Sequence, residues 1–456
     1  MKKQLTTWDW LLFSLLITLI FSILLVMYQI DRQWLKLTAI ETAMSEQAKD
    51  MRELRTARGS GAVMNDSSLQ NKASKEVSLA FMRANDATHL ADYAQGDWSV
   101  EAFGTNLKTI TPLVSTDAYA SNVQSYVLES LINRNPDTLN WEGLIAKNWS
   151  MSDDGLVIRF QLREDVNFSD GIALTAEDVV FTFKFIMTEV IQAPRDRAYL
   201  EKIKSVQANG NFEVVFTFKE PYFEALSLAG SMPILAKHFY EPYLKEPQKF
   251  NESKGILLGS GPYKLMDAKN WSPDKGSVEL VRNDHYWGDV QPSYHRILWK
   301  IIQNDSARLT TYRNGDIDSY AARPVEYQTL KNDEQITKKS HNFEYMPPVV
   351  GYSYIGWNEY RSAKPTRFAD KRVRLAMTYL TDVNRIISDI FLGYAEPALS
   401  PFSHLGKQHD HSLQAYRFDV EKAKALLKEA GFEDRNHDGV LENKAGQAFE
   451  FKLTYL

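Results

Sequence analysis

The 456-residue sequence contains no cysteine. This absence excludes disulfide bonds, thiolate metal sites, cysteine nucleophiles and lipid attachment through a processed N-terminal cysteine. The sequence also lacks an excess of one charge sign, since 53 basic against 58 acidic residues leave a net charge of -5. Such a small, mixed charge creates no strong field toward nucleic acid or anionic lipid. We therefore expect no nucleic-acid partner.

The signatures of several enzyme classes are absent as well. The sequence has no G-x-S-x-G elbow, P-loop, H-E-x-x-H or G-x-G-x-x-G fingerprint. Acyl transfer, nucleotide binding and zinc proteolysis therefore have no support in the sequence. Carboxylates are plentiful, but no pattern places two of them in one cleft. The sequence predicts neither a catalytic residue nor a cofactor.

Two polar loops contain the residue types of a metal site. One resembles the first half of a calcium-binding EF-hand loop, with Asp434, Asn436 and Asp438 at alternate positions. However, Ala445 stands at the twelfth position, where a bidentate glutamate is required. The other loop contains His404, His409, Asp410 and His411. Because it lacks the helical i, i+4 spacing of histidine ligands, we expect a solvated loop and assign no metal ligand.

One long apolar run lies near the N-terminus. From Trp10 to Tyr28 the sequence is apolar and uncharged, close to the roughly 20 residues that a bilayer-spanning helix needs. The residues that follow lack a small-residue cleavage site, which favours a retained anchor. Lys2 and Lys3 precede the run and favour a cytoplasmic N-terminus. The sequence predicts a cytoplasmic tail at 1–9, a single-pass inner-membrane anchor at 10–28 and the bulk outside the cytoplasm.

A stalk and a linker are predicted after the anchor. Between Asp31 and Arg58 there is no Gly or Pro, and apolar residues recur at helical spacing, which predicts a helical stalk over 29–58. The pattern is too short to establish a coiled coil, so a dimerising stalk and a solvated single helix both stay open. A linker and a short helix are expected over 59–95, because 59–75 is rich in Gly, Ser and Asn.

The rest of the chain alternates strand and helix patterns. Apolar and polar residues alternate over 156–163, as in a half-buried strand, and Thr175 is the expected cap of the next helix. A second strand around 297–301 precedes a helix for which Asp305 is the expected cap. Three further helices are predicted around 373–380, 386–390 and 423–430. These patterns predict a mixed α/β fold.

Five stretches occur in an order that is typical of one protein family. They are 110–112 with 127–131, 144–183, 259–265 with 278–288, 313–318, and 368–376 with 393–394 and 418–432. Together they resemble the recurring blocks of the peptide-binding proteins of ABC importers, which form extracellular solute-binding protein family 5. The second stretch is the most diagnostic of the five.

The resemblance implies a fold like that of periplasmic binding proteins. Two α/β lobes would close on a ligand, and an extra subdomain would be inserted in the first lobe. We expect lobe I at 96–134 and 221–322, the inserted subdomain at 135–220, and lobe II at 323–456. The run 449–456 has the alternation of a strand. Because members of the family continue beyond this point, lobe II is expected to be incomplete.

The resemblance also implies a function. Members of the family bind peptides or similar small solutes outside the cytoplasm, through main-chain hydrogen bonds in an enclosed cleft. They pass the solute to the permease subunits of an ABC importer and are not enzymes. A membrane-tethered sensor that signals through a partner protein is the alternative, because the predicted anchor and stalk look like those of receptors.

Two regions resemble those that border the ligand cleft in the family. The first, 115–119, contains Asp117 and Tyr119. The second is the expected strand 351–358, and its candidate side chains are Tyr352, Tyr354, Trp357 and Asn358. Aromatic and polar side chains suit a ligand wall, although ordinary core packing is an alternative for each of them.

Overall fold

The computed structural model describes residues 77–346, 351–403 and 406–454. The predicted tail, anchor, stalk and most of the linker precede residue 77, and His404 also lies outside the described residues. The described residues belong to one compact unit, Val77–Leu456. Within that part, no helix has the length and apolar character needed to cross a membrane.

The described residues form short strands and helices in alternation. The strands are β1 (Gly96–Phe103), β2 (Ile132–Arg134), β3 (Trp141–Gly143), β4 (Ala146–Met151), β5 (Val157–Leu162), β6 (Ile203–Ala208), β7 (Glu213–Phe218), β8 (Tyr263–Lys264), β9 (Ser277–Arg282), β10 (Tyr294–Ile301), β11 (Tyr360–Arg361) and β12 (Lys364–Pro365). The helices are α1 (Leu79–Thr88), α2 (Ala118–Ser125), α3 (Ala176–Met187), α4 (Pro194–Leu200), α5 (Ala225–Gly230), α6 (Lys237–Tyr240), α7 (Pro247–Asn251), α8 (Asp305–Arg313), α9 (Pro324–Leu330), α10 (Glu334–Thr337), α11 (Lys371–Tyr379), α12 (Val383–Asp389) and α13 (Val420–Glu429). The mixed α/β class predicted from the sequence is confirmed.

A mixed four-stranded sheet has the order β1-β10-β9-β8. β1 and β10 run parallel, whereas β9 is antiparallel to both of its neighbours. The sequence alternation around 297–301 is confirmed on β10, where Ile297 and Trp299 are buried. The Trp299 indole Nε1 donates to Glu101 Oε2 on β1 at 2.9 Å, so its one polar atom is satisfied inside the core.

A second four-stranded sheet is antiparallel, with the order β4-β5-β7-β6. On its central strand β5, Ile158, Phe160 and Leu162 are all buried, as the alternation predicts. Helix α3 begins after Thr175, as expected, and Asp178 in its first turn accepts from the Thr175 backbone N–H at 2.9 Å. A carboxylate in this position accepts a hydrogen bond from a backbone N–H group at the helix start. Its negative charge also interacts favourably with the positive end of the helix dipole.

The two four-stranded sheets share one continuous hydrophobic core, which reaches from Phe103 to Trp299. A much smaller second core lies further along the chain and consists of Phe368, Val373, Ala376, Tyr379, Ala423 and Leu427. It is formed where α11 packs against α13. These two helices and α12 confirm the three helices predicted near the end of the sequence.

Three local predictions are wrong. Residues 351–358 form no strand, and the described part of the run 449–456 likewise forms none. Neither a family resemblance nor alternation is enough for a strand, because a ladder needs a neighbouring strand to receive its hydrogen bonds. The cap of α8 is Asn304, whose side chain accepts from the Ala307 N–H at 2.9 Å. Asp305 is instead the first helical residue.

The segment 259–263 packs its backbone directly on the segment after α2. The Gly261 N–H donates to the Val127 carbonyl at 2.9 Å, and the Tyr263 N–H donates to the Tyr126 carbonyl at 3.0 Å. A Cβ at Gly261 would lie 2.6 Å from the Tyr126 carbonyl oxygen. Glycine is therefore needed here for close approach of two backbones.

We predict that Gly261→Ala lowers the free energy of unfolding by about 1–3 kcal/mol, because the added methyl group meets backbone that cannot rotate away. Chemical denaturation monitored by circular dichroism measures the change. Gly96→Ala is the control, since a Cβ at Gly96 meets nothing within 4 Å. Equal stability of the two variants would contradict the close approach.

Candidate functional site

A buried carboxylate lies at the centre of the first core. Glu129 follows the end of α2, and its Oε2 accepts from the Ser260 hydroxyl at 2.7 Å and from the Trp287 indole at 2.8 Å. Its Oε1 accepts from the Tyr286 hydroxyl at 2.6 Å. Three side-chain donors from two distant segments therefore end on one carboxyl group. We call Glu129, Ser260, Tyr286 and Trp287 the Glu129 cluster.

Arg163 connects a further segment to the Glu129 cluster. Its guanidinium carbon lies 5.3 Å from the centre of the Trp287 ring, over the ring face, which is a favourable cation–π position. Its Nε also donates to the Leu144 carbonyl at 2.8 Å. Three of the five sequence stretches, those containing Glu129, Arg163 and Ser260–Trp287, thus meet at one place. Their residues therefore stabilise the fold.

The buried environment of Glu129 favours the protonated form of its carboxyl group. Burial raises the pKa of Glu129 to about 7, although the hydrogen bonds from Tyr286, Ser260 and Trp287 and the nearby Arg163 charge oppose the shift. Burial and the Glu129 carboxylate also raise the pKa of the Tyr286 hydroxyl well above its ordinary value. A proton on Glu129 can still be accommodated, because the hydroxyls of Ser260 and Tyr286 rotate and can accept as well as donate.

The first candidate wall is the start of α2. Asp117 caps this helix, because its Oδ1 accepts from the backbone N–H groups of Tyr119 at 2.8 Å and Ala120 at 3.1 Å. The Tyr119 ring is 37% exposed and lies 4.7 Å from the ring of Phe103. Phe103 in turn stacks on Trp299 at 5.5 Å. The structure places Asp117 in a structural role at the helix end and presents part of the Tyr119 ring to solvent.

The second candidate wall is the segment 351–358. Tyr352 and Tyr354 are 49% and 78% exposed, and their ring centres lie 5.9 Å apart. Trp357 instead stacks on Phe368 of the smaller core at 4.6 Å. Asn358 is exposed, and its backbone carbonyl accepts from the Thr366 hydroxyl at 2.5 Å. The two tyrosines are thus paired and open to solvent, whereas Trp357 fixes the segment to the core.

A cavity of about 250 Å³ lies beside the smaller core. It is lined by Asp382, Val383, Asn384, Pro397 and the segment 414–418. The sequence did not predict this cavity, because a segment without periodicity gives no signal of this kind. The only available signal is the aromatic pair Tyr416 and Phe418 directly before α13. The cavity is smaller than the roughly 300–1,000 Å³ of ordinary small-molecule sites, and we assign it no ligand.

The two polar loops also have defined positions. Asp434, Asp438 and Glu442 place carboxylate oxygens within 4.8 Å of one another. Asp434 already accepts from the backbone N–H groups of Asp438 at 3.2 Å and Gly439 at 3.0 Å, which closes the turn. Glu442, which the sequence analysis did not select, is buried and accepts from a backbone N–H at 3.1 Å. These contacts stabilise a loop, and we assign no ion.

In the second polar loop, the rings of His409 and His411 lie 4.9 Å apart. His409 Nδ1 is 3.3 Å from the hydroxyl oxygen of Ser400. Both contacts lie within the loop itself, which fits the solvated loop expected from the sequence.

Comparison with protein families identifies most of the chain. Residues 140–456 match the family model described as bacterial extracellular solute-binding proteins, family 5 Middle. The oligopeptide-binding protein AppA of Bacillus subtilis (strain 168) is 32% identical over 351 residues, which cover 75% of this chain and 60% of AppA. The nickel-binding periplasmic protein of Escherichia coli (strain K12) is 26% identical, with 81% of this chain and 68% of that protein covered.

Solved structures give the same result. The oligopeptide-binding protein AppA from Bacillus subtilis in complex with a nonapeptide superposes with a TM-score of 0.63 at 28% identity, covering 78% of this chain and 68% of AppA. NikZ from Campylobacter jejuni in complex with Ni(L-His) has a TM-score of 0.59 at 27% identity, covering 77% of this chain and 66% of NikZ. The chain spans about 60% of the length of AppA and of several other curated relatives.

Truncation of the cluster's central residue tests its structural role. We predict that Glu129→Ala lowers the free energy of unfolding by about 3 kcal/mol or more, since buried donors on Ser260, Tyr286 and Trp287 lose their acceptor. Denaturant titration measures the loss. Glu189→Ala, at an exposed position of the same chain, is the control. A loss no larger than that of the control would contradict the role of Glu129.

Glu129→Gln tests the titration. The folded-state pKa of about 7 lies above the ordinary value of 4.5, so the folded protein holds this proton more tightly than the unfolded chain. The resulting stability is present below the unfolded pKa and is lost as pH rises through about 7. From about pH 5 to about pH 8, we expect the wild type to lose on the order of 3 kcal/mol relative to the variant. If the free energies of unfolding of the wild type and the variant changed with pH in parallel, Glu129 would not titrate in this range.

Proposed function

Because the chain belongs to the bacterial extracellular solute-binding proteins of family 5, we propose that it captures a peptide or a similar small solute outside the cytoplasm. It delivers the solute to the permease subunits of an ABC importer. The observation that carries this proposal is the shared sequence and fold with AppA, a protein whose structure is known in complex with a nonapeptide. A metal chelate is the competing class of solute, because one relative is a nickel-binding protein and another was solved in complex with Ni(L-His).

The proposed binding site lies between two lobes. We retain lobe I at 96–134 and 221–322, the inserted subdomain at 135–220 and lobe II at 323–456. Asp117 and Tyr119 belong to one wall, and Tyr352, Tyr354, Trp357 and Asn358 to the other. The exposed rings of Tyr352 and Tyr354 can cover an extended peptide. The main chain of such a peptide supplies hydrogen bonds that do not depend on its sequence. The partly exposed ring of Tyr119 can contact the peptide in the same way from the first wall.

We further propose that the run from Trp10 to Tyr28 anchors the protein in the cytoplasmic membrane. Its length and its lack of charge support this, and the absence of cysteine excludes a lipid attached through that residue. The relatives named above are binding proteins, which supports a receptor without enzymatic activity. No observation favours the alternative of a sensor that signals through a partner.

A thermal-shift titration of the full chain tests the proposed solute class. A ligand that binds only the folded state at a hundredfold excess over its Kd adds about 2.7 kcal/mol of stability, so a peptide mixture should raise the Tm by several degrees. Glutathione and a nickel–histidine chelate are tested in parallel. A rise with the chelate alone would overturn the peptide assignment. The peptides are weighed afterwards by mass spectrometry, and loss of intact peptide would reveal hydrolysis and contradict a receptor.

Tyr354→Ala tests the second wall. Because this side chain is 78% exposed, its removal should leave the Tm of the free protein unchanged, yet weaken peptide binding by roughly tenfold, as for a buried aromatic contact at an interface. Calorimetric titration measures the affinity. Tyr199→Ala removes a tyrosine of similar exposure, 65%, from α4 in the proposed subdomain and should bind like the wild type. Equal affinities of both variants would exclude Tyr354 from the site.

A further inference from the structure

Helix α1 lies outside the five stretches that identify the family, and it is where the described chain begins. We propose that Ser78 and α1 form a docking clip, which holds α1 on the face of Trp287 and Asp289. Helix α1 can then open locally without disturbing β1.

The polar part of the clip is at Ser78. Its backbone N–H donates to Asp289 Oδ2 at 3.0 Å, and its hydroxyl donates to the same oxygen. Arg163 Nη2 donates to the Ser78 hydroxyl oxygen at 2.7 Å. Ser78 therefore binds an acidic side chain, Asp289, which lies 211 residues further along the chain, and a basic one, Arg163, which lies 85 residues further along. Hydrogen bonds with charged partners are stronger than those between neutral groups.

The apolar part of the clip centres on Phe81, the buried residue of α1. Phe81 is 6% exposed, and its ring packs edge-on at 5.5 Å from Trp287 and at 6.2 Å from Tyr286. Gly288 leaves room for it, since a Cβ there would lie 2.8 Å from the Phe81 ring. By contrast, Leu79 and Met82 on the same helix are exposed. The helix also contacts β3, but Phe81 is the one side chain that it buries.

Helix α1 depends on this docking for its own stability. It has 10 residues, and isolated helices shorter than about 12–15 residues are marginal in water. The side chain of Ser78 does not cap it, and it has no acidic residue in its first turn. The ion pair between Arg83 and Asp137 is 3.5 Å long and exposed, so it adds little. The contacts of Ser78 and Phe81 therefore decide whether the helix stays folded on the body.

The clip is attached to the Glu129 cluster. Arg163 binds Ser78 and lies over Trp287, and Trp287 both packs on Phe81 and donates to Glu129. All these partners belong to the proposed first lobe and its inserted subdomain. Movement of lobe II around a solute would therefore leave the clip unchanged.

Tryptic cleavage and hydrogen exchange of the full chain test the clip with Phe81→Ala and the control Met82→Ala. Arg83 is the one tryptic site within α1. In Phe81→Ala we expect cleavage after Arg83 and amide exchange in α1 to accelerate at least roughly tenfold, because local opening sets both rates. Met82→Ala and the exchange of β1 should match the wild type. Ser78→Ala, which loses only the hydroxyl contacts, should show a smaller acceleration in the same place.

Two outcomes would overturn the clip. Unchanged exchange and cleavage in Phe81→Ala would mean that α1 holds its structure without docking. Acceleration in β1 as large as that in α1 would mean that the helix is part of the core. If Phe81→Ala does not fold, Ser78→Ala decides between the same outcomes. None of these measurements uses a solute, so they are independent of the proposed function.

Discussion

A buried carboxylate surrounded by donors constrains how the first part of this protein can fold. Glu129 accepts hydrogen bonds from Ser260, Tyr286 and Trp287, and leaving these buried donors without an acceptor would cost several kcal/mol. The chain must therefore bring segments separated by more than 130 residues to the same point. The close backbone contact at Gly261 and the docking of Phe81 on Trp287 both depend on that arrangement.

The described residues form two parts of different character. The first part has two four-stranded sheets around one extended core, whereas the smaller core rests mainly on α11, α13 and Phe368. Aromatic side chains near the smaller core, including Tyr352, Tyr354 and Tyr416, are exposed. In the proposed receptor, the part with the extended core forms one lobe, and the part with the exposed aromatic rings forms the other, so that a solute is held between them.

The sequence predicted elements wherever local pattern and tertiary packing agree. The alternation on β5, the acidic first turn of α3 and the apolar faces of α11 and α13 all follow from spacing and capping. The prediction of a strand at 351–358 failed, because a resemblance in sequence does not show whether a partner strand is present to receive its hydrogen bonds. It also treated Glu129 only as part of a motif, since no local signal reveals that Ser260, Tyr286 and Trp287 converge on it. The cavity at Asp382 and Phe418 was missed for the same reason: its lining comes from segments without periodicity.

Solute capture between two walls is the central claim of this account. Hydrogen exchange of the full chain, measured by mass spectrometry with and without a saturating peptide mixture, tests it most directly. We predict that peptide slows exchange both at 115–119 and at 351–358, while α1 and β5 exchange as before. Slowing at only one of these walls, or at neither, would contradict binding between the lobes.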